Sequence, residues 1–427
     1  MNCSIDSFYA YLYHYLNSKY KNILLRSFNT HGSRLLKDII IPSFPINESI
    51  PKRLLGQVVL FDQEPIEMSY FQNWIDYDPD SFPEDFEYHQ VGDLYKHLTK
   101  SDFIFRHFSG VYNPILCHSE RNSDEVKLFE KNHFESVHYF FHGFIARDWF
   151  RHWKHYNMKS SKNAKRFGMY ARDASGSRKY RLDLLRNLIP YKHHLYYKLQ
   201  KPIYQIDQSL NEYYEFNSIE YDANSSAQIV PEDTALFNIQ IVPETLFNTT
   251  KTHLTEKIFK PIVMKQPFII VGCPNSLKYL KDYGFKTFDY IWNEHYDQEM
   301  NPKKRMDMII SLIDQIAKLS DEDFRNLILE TEKIVKHNHK HFFSEEFEKI
   351  MLDEMHENFK KAFINRNKKF VTMPGGTWFM YLSKLQKQNL DITDFNRRRI
   401  NEVINYLEKD APLQAHHIKT IYKDLLK

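Results

Sequence analysis

The chain has 427 residues, 42% of them apolar and 26% charged, and a formal net charge of +3 from 58 basic and 55 acidic residues. Those proportions belong to a globular protein large enough for more than one core, and they exclude a disordered chain or a dedicated nucleic-acid coat. The three cysteines, Cys3, Cys117 and Cys273, lie far apart; this argues against a disulfide framework or a cysteine zinc site and for a reducing compartment, the cytoplasm.

The N-terminus, MNCSIDSFYAYLYHYLNSKYKN, is amphipathic and lacks the basic start and apolar core of a signal peptide. No run approaches the ~18 apolar residues of a spanning helix, so no membrane insertion is expected. Short apolar runs at 57–62, 102–106, 115–119 and 137–143 read as buried strands with polar connectors. The stretch ARDWFRHWKHY (146–156) puts Trp149, Trp153 and Tyr156 on one helical face. The polar run NMKSSKNAK follows and reads as a linker. A second set then begins: strand 165–173, helix 177–188, strand 193–199, strand 237–244, helix 252–265, strand 267–272 and helix 276–284. Strand, helix, strand in quick alternation predicts a parallel sheet. From Lys303 the pattern is helical, interrupted at Met373-Pro374-Gly375-Gly376, and 377–427 also reads as helical.

Within helix 252–265 the residues Thr255, Glu256 and Lys257 are consecutive. A helix start leaves backbone N–H groups unpaired and carries partial positive charge, so it suits an anion. Thr252 or Thr255 can cap it; Glu256 complements the dipole and can accept from ribose hydroxyls; Lys257 can reach a diphosphate. The preceding strand ends at Glu244, on the edge where open α/β sheets bind ligands. Alone, the triplet reads as no more than a well-charged helix start.

Together, FNIQIVPETLF and HLTEKIFKPIVMKQPFIIVG resemble the donor-binding motif of inverting α-1,3-fucosyltransferases and of related fucosyltransferase-like or exostosin-like phage and bacterial proteins. In that family a strand ends in Glu-Asn-Ser and is followed by Tyr-Val-Thr-Glu-Lys-Leu. Here Glu244-Thr245 stands at Glu-Asn, and residues 254–258 match the Thr-Glu-Lys core. MYARDASGSRKYRLDLLRNL is similar to the family's upstream segment, with Arg178 at its arginine. LFDQEPIEMSYF is similar to its Phe-Glu-Ser-Pro motif, with Glu64-Pro65 one residue tighter. The Asn of Glu-Asn-Ser, the membrane anchor and the paired disulfides of the family have no counterpart here.

The resemblance implies an α/β fold of GT-B architecture, two Rossmann-like lobes facing a cleft, with a helical C-terminal extension. The lobes would be 1–157, for the acceptor, and 158–345, for the donor, with 346–427 helical. It implies a glycosyltransferase that inverts at the sugar carbon, uses a GDP- or UDP-linked nucleotide sugar and needs no metal or other cofactor. Arg178 and Lys257 would neutralise the leaving diphosphate, since cationic forks and ammonium groups suit phosphate. Thr255 and Glu256 would hold the donor at the helix start, Glu256 on the ribose, and Glu244 would hold sugar or ribose. Glu64 would be the base that deprotonates the acceptor hydroxyl, its pKa raised by desolvation; the other reading is a turn residue before Pro65. Asp62 and Asp148 are alternatives; the other reading of Asp148, and the one the sequence favours, is a helix-start carboxylate.

The acceptor is either a saccharide or a hydroxymethylated base in phage DNA, the latter read through the aromatic-basic stretch 146–156; for a phage protein the compartment is the host cytoplasm. No obligate protein partner is inferred. The competing class is a catalytically inert nucleotide- or nucleic-acid-binding protein of the same fold. His337 and His341 share a helical face and could chelate zinc, but without a third ligand KHNHKH reads as a solvated helix or turn. The aromatics of 146–156 likewise read as one face of an amphipathic helix.

Overall fold

The computed structural model describes residues 23–27, 41–42, 56–60, 65–66, 115–131, 134–156, 161, 163–200, 203, 207–217 and 228–371. Glu64, Asp62, the strand expected at 102–106, most of the linker and everything from 372 onward lie outside the described residues. The chain divides into two compact units, each with its own five-stranded sheet.

One unit carries β1 (Ile23–Ser27), β2 (Ile41–Pro42), β3 (Gly56–Leu60), β4 (Ile115–His118) and β5 (Glu135–His138), in the order β2-β1-β3-β4-β5. All pairs are parallel except β1 with β2. Helix α1 (Asp124–Lys131) bridges β4 and β5 and buries Val126 and Phe129. Residues 355–371 also belong to this unit, where Met355, Phe359 and Ala362 are buried. Asn358 donates its amide to the His138 carbonyl at 2.8 Å.

The other unit is built from Phe140–Glu354 together with the short segment Ser119–Asp124. It opens with α2 (Phe141–Trp149), then β6 (Lys165–Ala171), α3 (Tyr180–Leu188), β7 (Leu195–Gln200), β8 (Phe216–Asn217) and β9 (Phe237–Pro243). After β9 come α4 (Phe259–Val263), β10 (Phe268–Val271), α5 (Ser276–Asp282), α6 (Pro302–Ala317), α7 (Asp321–Phe342) and α8 (Glu345–Val371), the last crossing the unit boundary. The sheet order is β10-β9-β6-β7-β8, with every pair parallel. From β6 the chain steps outward to β7 and β8, then returns to the other side of β6 for β9 and β10. The strand order therefore reverses between β6 and β9, as in a doubly wound nucleotide-binding sheet.

The local reasons are ordinary ones. Strands β9 and β10 are buried nearly throughout, as expected where helices cover both faces of a parallel sheet. Asn301 caps α6 by accepting from Lys304 N, with Pro302 in the first turn; Ser320 caps α7 by accepting from Asp323 N. No helix among the described residues is long and apolar enough to cross a membrane.

Four local expectations change. The run at 137–143 is not one strand: β5 stops at His138 and α2 begins at Phe141. A continuous apolar run has no period that separates strand from helix. Gly143 lets α2 pack closely, because a Cβ there would meet the Met351 sulfur at 2.4 Å. The stretch at 146–156 is the end of α2 plus a 3₁₀ turn at Arg151–His155. Trp149, Trp153 and Tyr156 lie against the core of this unit, which includes Phe140, Ala146 and Phe150, so this stretch, grouped by sequence with the first lobe, packs with the second sheet. The helix expected over 252–265 is a 3₁₀ turn at Glu256–Ile258 running into the five-residue α4. Thr252 instead forms a bridge with Arg121.

Two of the three histidines at the end of α7 are not solvated. His339 and His341 are buried. The ring nitrogens of His339 face the carbonyls of Val263 and Lys154 at 2.9 and 3.0 Å, and His341 Nε2 faces the Tyr283 carbonyl at 2.6 Å. They pin α7 to its neighbours, and no metal-binding group of side chains occurs among the described residues.

Gly168 in β6 is required by packing. A Cβ there would come within 2.2 Å of the Phe237 ring on β9, which also packs against Tyr170 and Tyr196. Gly168→Ala is expected to cost about 2 kcal/mol through overpacking. The check is a lower urea midpoint with an unchanged slope; an unchanged midpoint would show that the Phe237 ring yields freely.

Candidate functional site

The site lies at the C-terminal edge of the second sheet, beside the reversal between β6 and β9. Strand-end carbonyls there are taken by buried donors. The Tyr180 hydroxyl donates to the carbonyls of Glu244 and Val271 at 2.5 and 3.1 Å. Arg181 donates to the carbonyls of Asp173, Pro243 and Glu244 at 2.6, 3.1 and 2.9 Å. Arg305, only 1% exposed, donates to the Gly272 carbonyl at 3.1 Å and to that of Phe247. Its guanidinium also covers the Phe247 ring, 4.4 Å away, and that ring stacks on Tyr180. The ends of β6, β9 and β10 are thereby fixed relative to one another.

The loop leading to the Thr-Glu-Lys triplet is fastened too. Lys251 lies 3.2 Å from the Glu120 carboxylate, both buried, and Thr252 exchanges backbone hydrogen bonds with Arg121.

Upon this frame four of the residues singled out in the sequence come together. Glu244 is fully buried directly after β9, and its Oε2 accepts from the Thr255 hydroxyl at 2.6 Å. Thr255 has extended backbone and caps the 3₁₀ turn. Lys257 Nζ donates to the hydroxyls of Thr245 and Thr255 at 3.2 and 3.0 Å and lies 3.8 Å from Glu256 Oε1. About a third of the Lys257 side chain stays exposed, with 32% accessible. Glu256 Oε2 is 3.3 Å from His142 Nδ1. The His142 ring sits edge-on to His253 at 5.1 Å.

The two carboxylates are driven in opposite directions. Burial raises the Glu244 pKa, and the pull of Lys257 and the Thr255 hydrogen bond do not cancel it. Burial acts the same way on Glu256, but Lys257 and His142 outweigh it and hold that carboxyl well below its ordinary value of 4.5. Burial, reinforced by His142 and Lys251, keeps His253 neutral, with its pKa far below the usual imidazole range.

The remaining candidates are placed differently. Arg178 ends the 3₁₀ turn Gly176–Arg178, and its guanidinium lies 3.6 Å from Asp173. Asp148 is in the last turn of α2, not at a helix start, and its Oδ1 accepts from Arg151 at 2.6 Å. Glu64 lies outside the described residues. Because α4 has only five residues, the charged side chains carry the electrostatics of the site; a helix dipole contributes little.

Sequence reasoning missed His142, His253 and Arg305. His142 was hidden by reading 137–143 as a strand; a helical reading from Phe141 would have put it on the first turn. His253 directly precedes the motif. Nothing local marks Arg305 as a tie to the sheet edge, because its partners there, Gly272 and Phe247, lie 33 and 58 positions away.

No family model matches the chain, and no curated protein matches it. Among solved structures, one titled "Crystal Structure of TarM" aligns at 10% identity over 81% of this chain and 57% of that chain, with a TM-score of 0.37. The chain thus spans just over half the length of that protein, and a superposition this loose carries neither fold nor activity across.

A pH dependence follows from Glu256. Its folded pKa is lowered, so its ionised form stabilises the fold above the ordinary carboxylate range, and that contribution fades as pH falls toward the folded value. Glu256→Gln is expected to be less stable than wild type by about 2 kcal/mol at pH 7. Urea unfolding should show the gap narrowing below pH 4. A gap independent of pH would contradict the ion pairing.

Proposed function

We propose that this chain is a glycosyltransferase of GT-B type that moves a sugar from a nucleotide diphosphate to an acceptor hydroxyl. The reading rests on one observation: Glu244, Thr255, Glu256 and Lys257 form a single hydrogen-bonded group at the C-terminal edge of a doubly wound parallel sheet, beside its order reversal. Two predominantly parallel α/β units, each with its own sheet, are also what a GT-B architecture requires.

In this reading Lys257 meets the diphosphate with its exposed ammonium end. Glu256 stays ionised and accepts from ribose hydroxyls, while Glu244 orients Thr255 and, through it, Lys257. Arg178 is a second phosphate contact, reached by turning from Asp173. Transfer breaks the bond between the sugar's anomeric carbon and the diphosphate oxygen. The acceptor oxygen bonds to that carbon and gives its proton to a carboxylate. The diphosphate leaves with the bonding pair, neutralised by the cations. Glu64 is the proposed base. Asp148, held by Arg151, is the weaker candidate. The donor is GDP- or UDP-linked, the mechanism inverting and metal-independent, and the acceptor a saccharide or a hydroxymethylated base.

Calorimetric titration with UDP and GDP tests the donor site. Lys257→Ala should weaken binding of the nucleotide that wild type takes by about 30-fold or more, on the order of 2 kcal/mol. Equal affinity in the variant would remove Lys257 from the phosphate.

The base is tested separately with Glu64→Gln, by nucleotide release from a panel of nucleotide sugars. Turnover should fall by about 100-fold or more while donor affinity holds. Wild-type turnover would move the base elsewhere, and nucleotide binding without any release from wild type would leave a binding protein.

A further inference from the structure

His142 stands on the first turn of α2 and reaches the Thr-Glu-Lys turn through space, across more than a hundred positions of sequence. The backbone that carries it is firmly placed. Phe140, directly before α2, is fully buried. Its ring packs 5.7 Å from that of Phe259, at the start of α4, and 4.9 and 4.6 Å from those of Tyr279 and Tyr283. The starts of α2 and α4 are thus held against each other, and with them His142 and Glu256, which are 4% and 8% exposed.

Each Glu256 oxygen faces a different nitrogen. Oε2 lies 3.3 Å from His142 Nδ1, and Oε1 lies 3.8 Å from Lys257 Nζ. The second distance exceeds a hydrogen bond, although the two side chains are neighbours in sequence and could close on each other. Lys257 donates instead to the hydroxyls of Thr245 and Thr255. The last torsion of a glutamate is broad and two-fold, so a carboxylate without a partner at either oxygen turns freely. Held at Oε2, Glu256 keeps its plane fixed, and a carboxylate has about four acceptor positions to share between its partners. His253 has no part in this. It is buried, its ring stands edge-to-face with His142 at 5.1 Å, and neither of its nitrogens meets a hydrogen-bond partner among the described residues.

We propose that His142 is a positioning residue for the nucleotide: it holds Glu256 in the orientation that receives the ribose hydroxyls, and so gives the donor site a preference for ribose over deoxyribose. This rests on the donor-site reading and adds the residue that aims its carboxylate. Without His142, Glu256 turns onto Lys257, the ammonium already nearest to it, and the sugar loses its acceptor.

The test uses the full chain, titrated by calorimetry at pH 7 with UDP, GDP and their 2′-deoxy and 3′-deoxy forms. Wild type should favour the ribonucleotide over at least one deoxy form by about tenfold or more, the size of a hydrogen bond to a charged group. His142→Leu, which fills the place of the ring without a nitrogen, should bring that ratio within about twofold. His142→Asn, which can set an amide nitrogen near the position of Nδ1, should restore most of it. Glu256→Gln should lower the ratio by itself, and adding His142→Leu should lower it no further, because residues that act as one unit are not additive. Arg186→Ala, which removes a surface arginine paired with Asp183 and Asp207, should change nothing. Circular dichroism and the thermal midpoint verify that each variant is folded, and His142→Ala takes the place of the leucine if that variant does not fold.

The outcomes separate the two ideas. A ribose preference that His142→Leu leaves intact overturns the positioning role and spares the donor reading. A preference that the leucine lowers just as far when Glu256 is already glutamine does the same, because His142 would then act without Glu256. Nucleoside diphosphate bound by wild type with no ribose preference removes histidine and carboxylate from the sugar and leaves the diphosphate contact standing. If wild type binds no nucleotide, both ideas fall.

Discussion

Parallel strands end in carbonyl groups that their neighbours leave unpaired, and a buried edge of such carbonyls is unstable unless donors reach it. Here Tyr180, Arg181 and Arg305 supply the donors, all from inside the protein. Two of the three sit on the helix that follows β6 and the third on the first turn of α6, so the ties come from two separate helices. The turn after β9 cannot shift without breaking several of these bonds at once. Thr245 and Glu244 are therefore fixed, and through them Thr255 and the ammonium of Lys257.

This fixed edge explains why the pKa values of two neighbouring carboxylates move in opposite directions. Glu244 faces a hydroxyl and lies fully inside, so desolvation dominates. Glu256 faces an ammonium and an imidazole, so attraction dominates. Environments that push neighbouring acids apart are a recurrent feature of working sites, although structural ion networks do the same. What distinguishes this one is its position at the reversal of strand order, where a ligand can reach the ends of β6 and β9 together.

Much of the second unit was legible in the sequence because its signals are local. The apolar runs of β9 and β10 and the helical period beyond Lys303 all depend on near neighbours. The Thr-Glu-Lys triplet was legible as chemistry, and Glu244 as the end of its strand. The helix drawn through 252–265 came out much shorter because Thr252 pairs with Arg121, more than a hundred positions away. His142 was lost because an apolar stretch has no period. Arg305 was lost because a buried arginine looks, in sequence, like any charged residue at a helix start.

The most direct measurement is a crystal structure of the chain soaked with UDP and, separately, GDP. The expected result is a diphosphate within hydrogen-bonding distance of Lys257 Nζ, over the ends of β6 and β9, with the ribose hydroxyls on Glu256. Nucleotide density anywhere else on the molecule, or against the opposite, N-terminal edge of that sheet, would contradict the account.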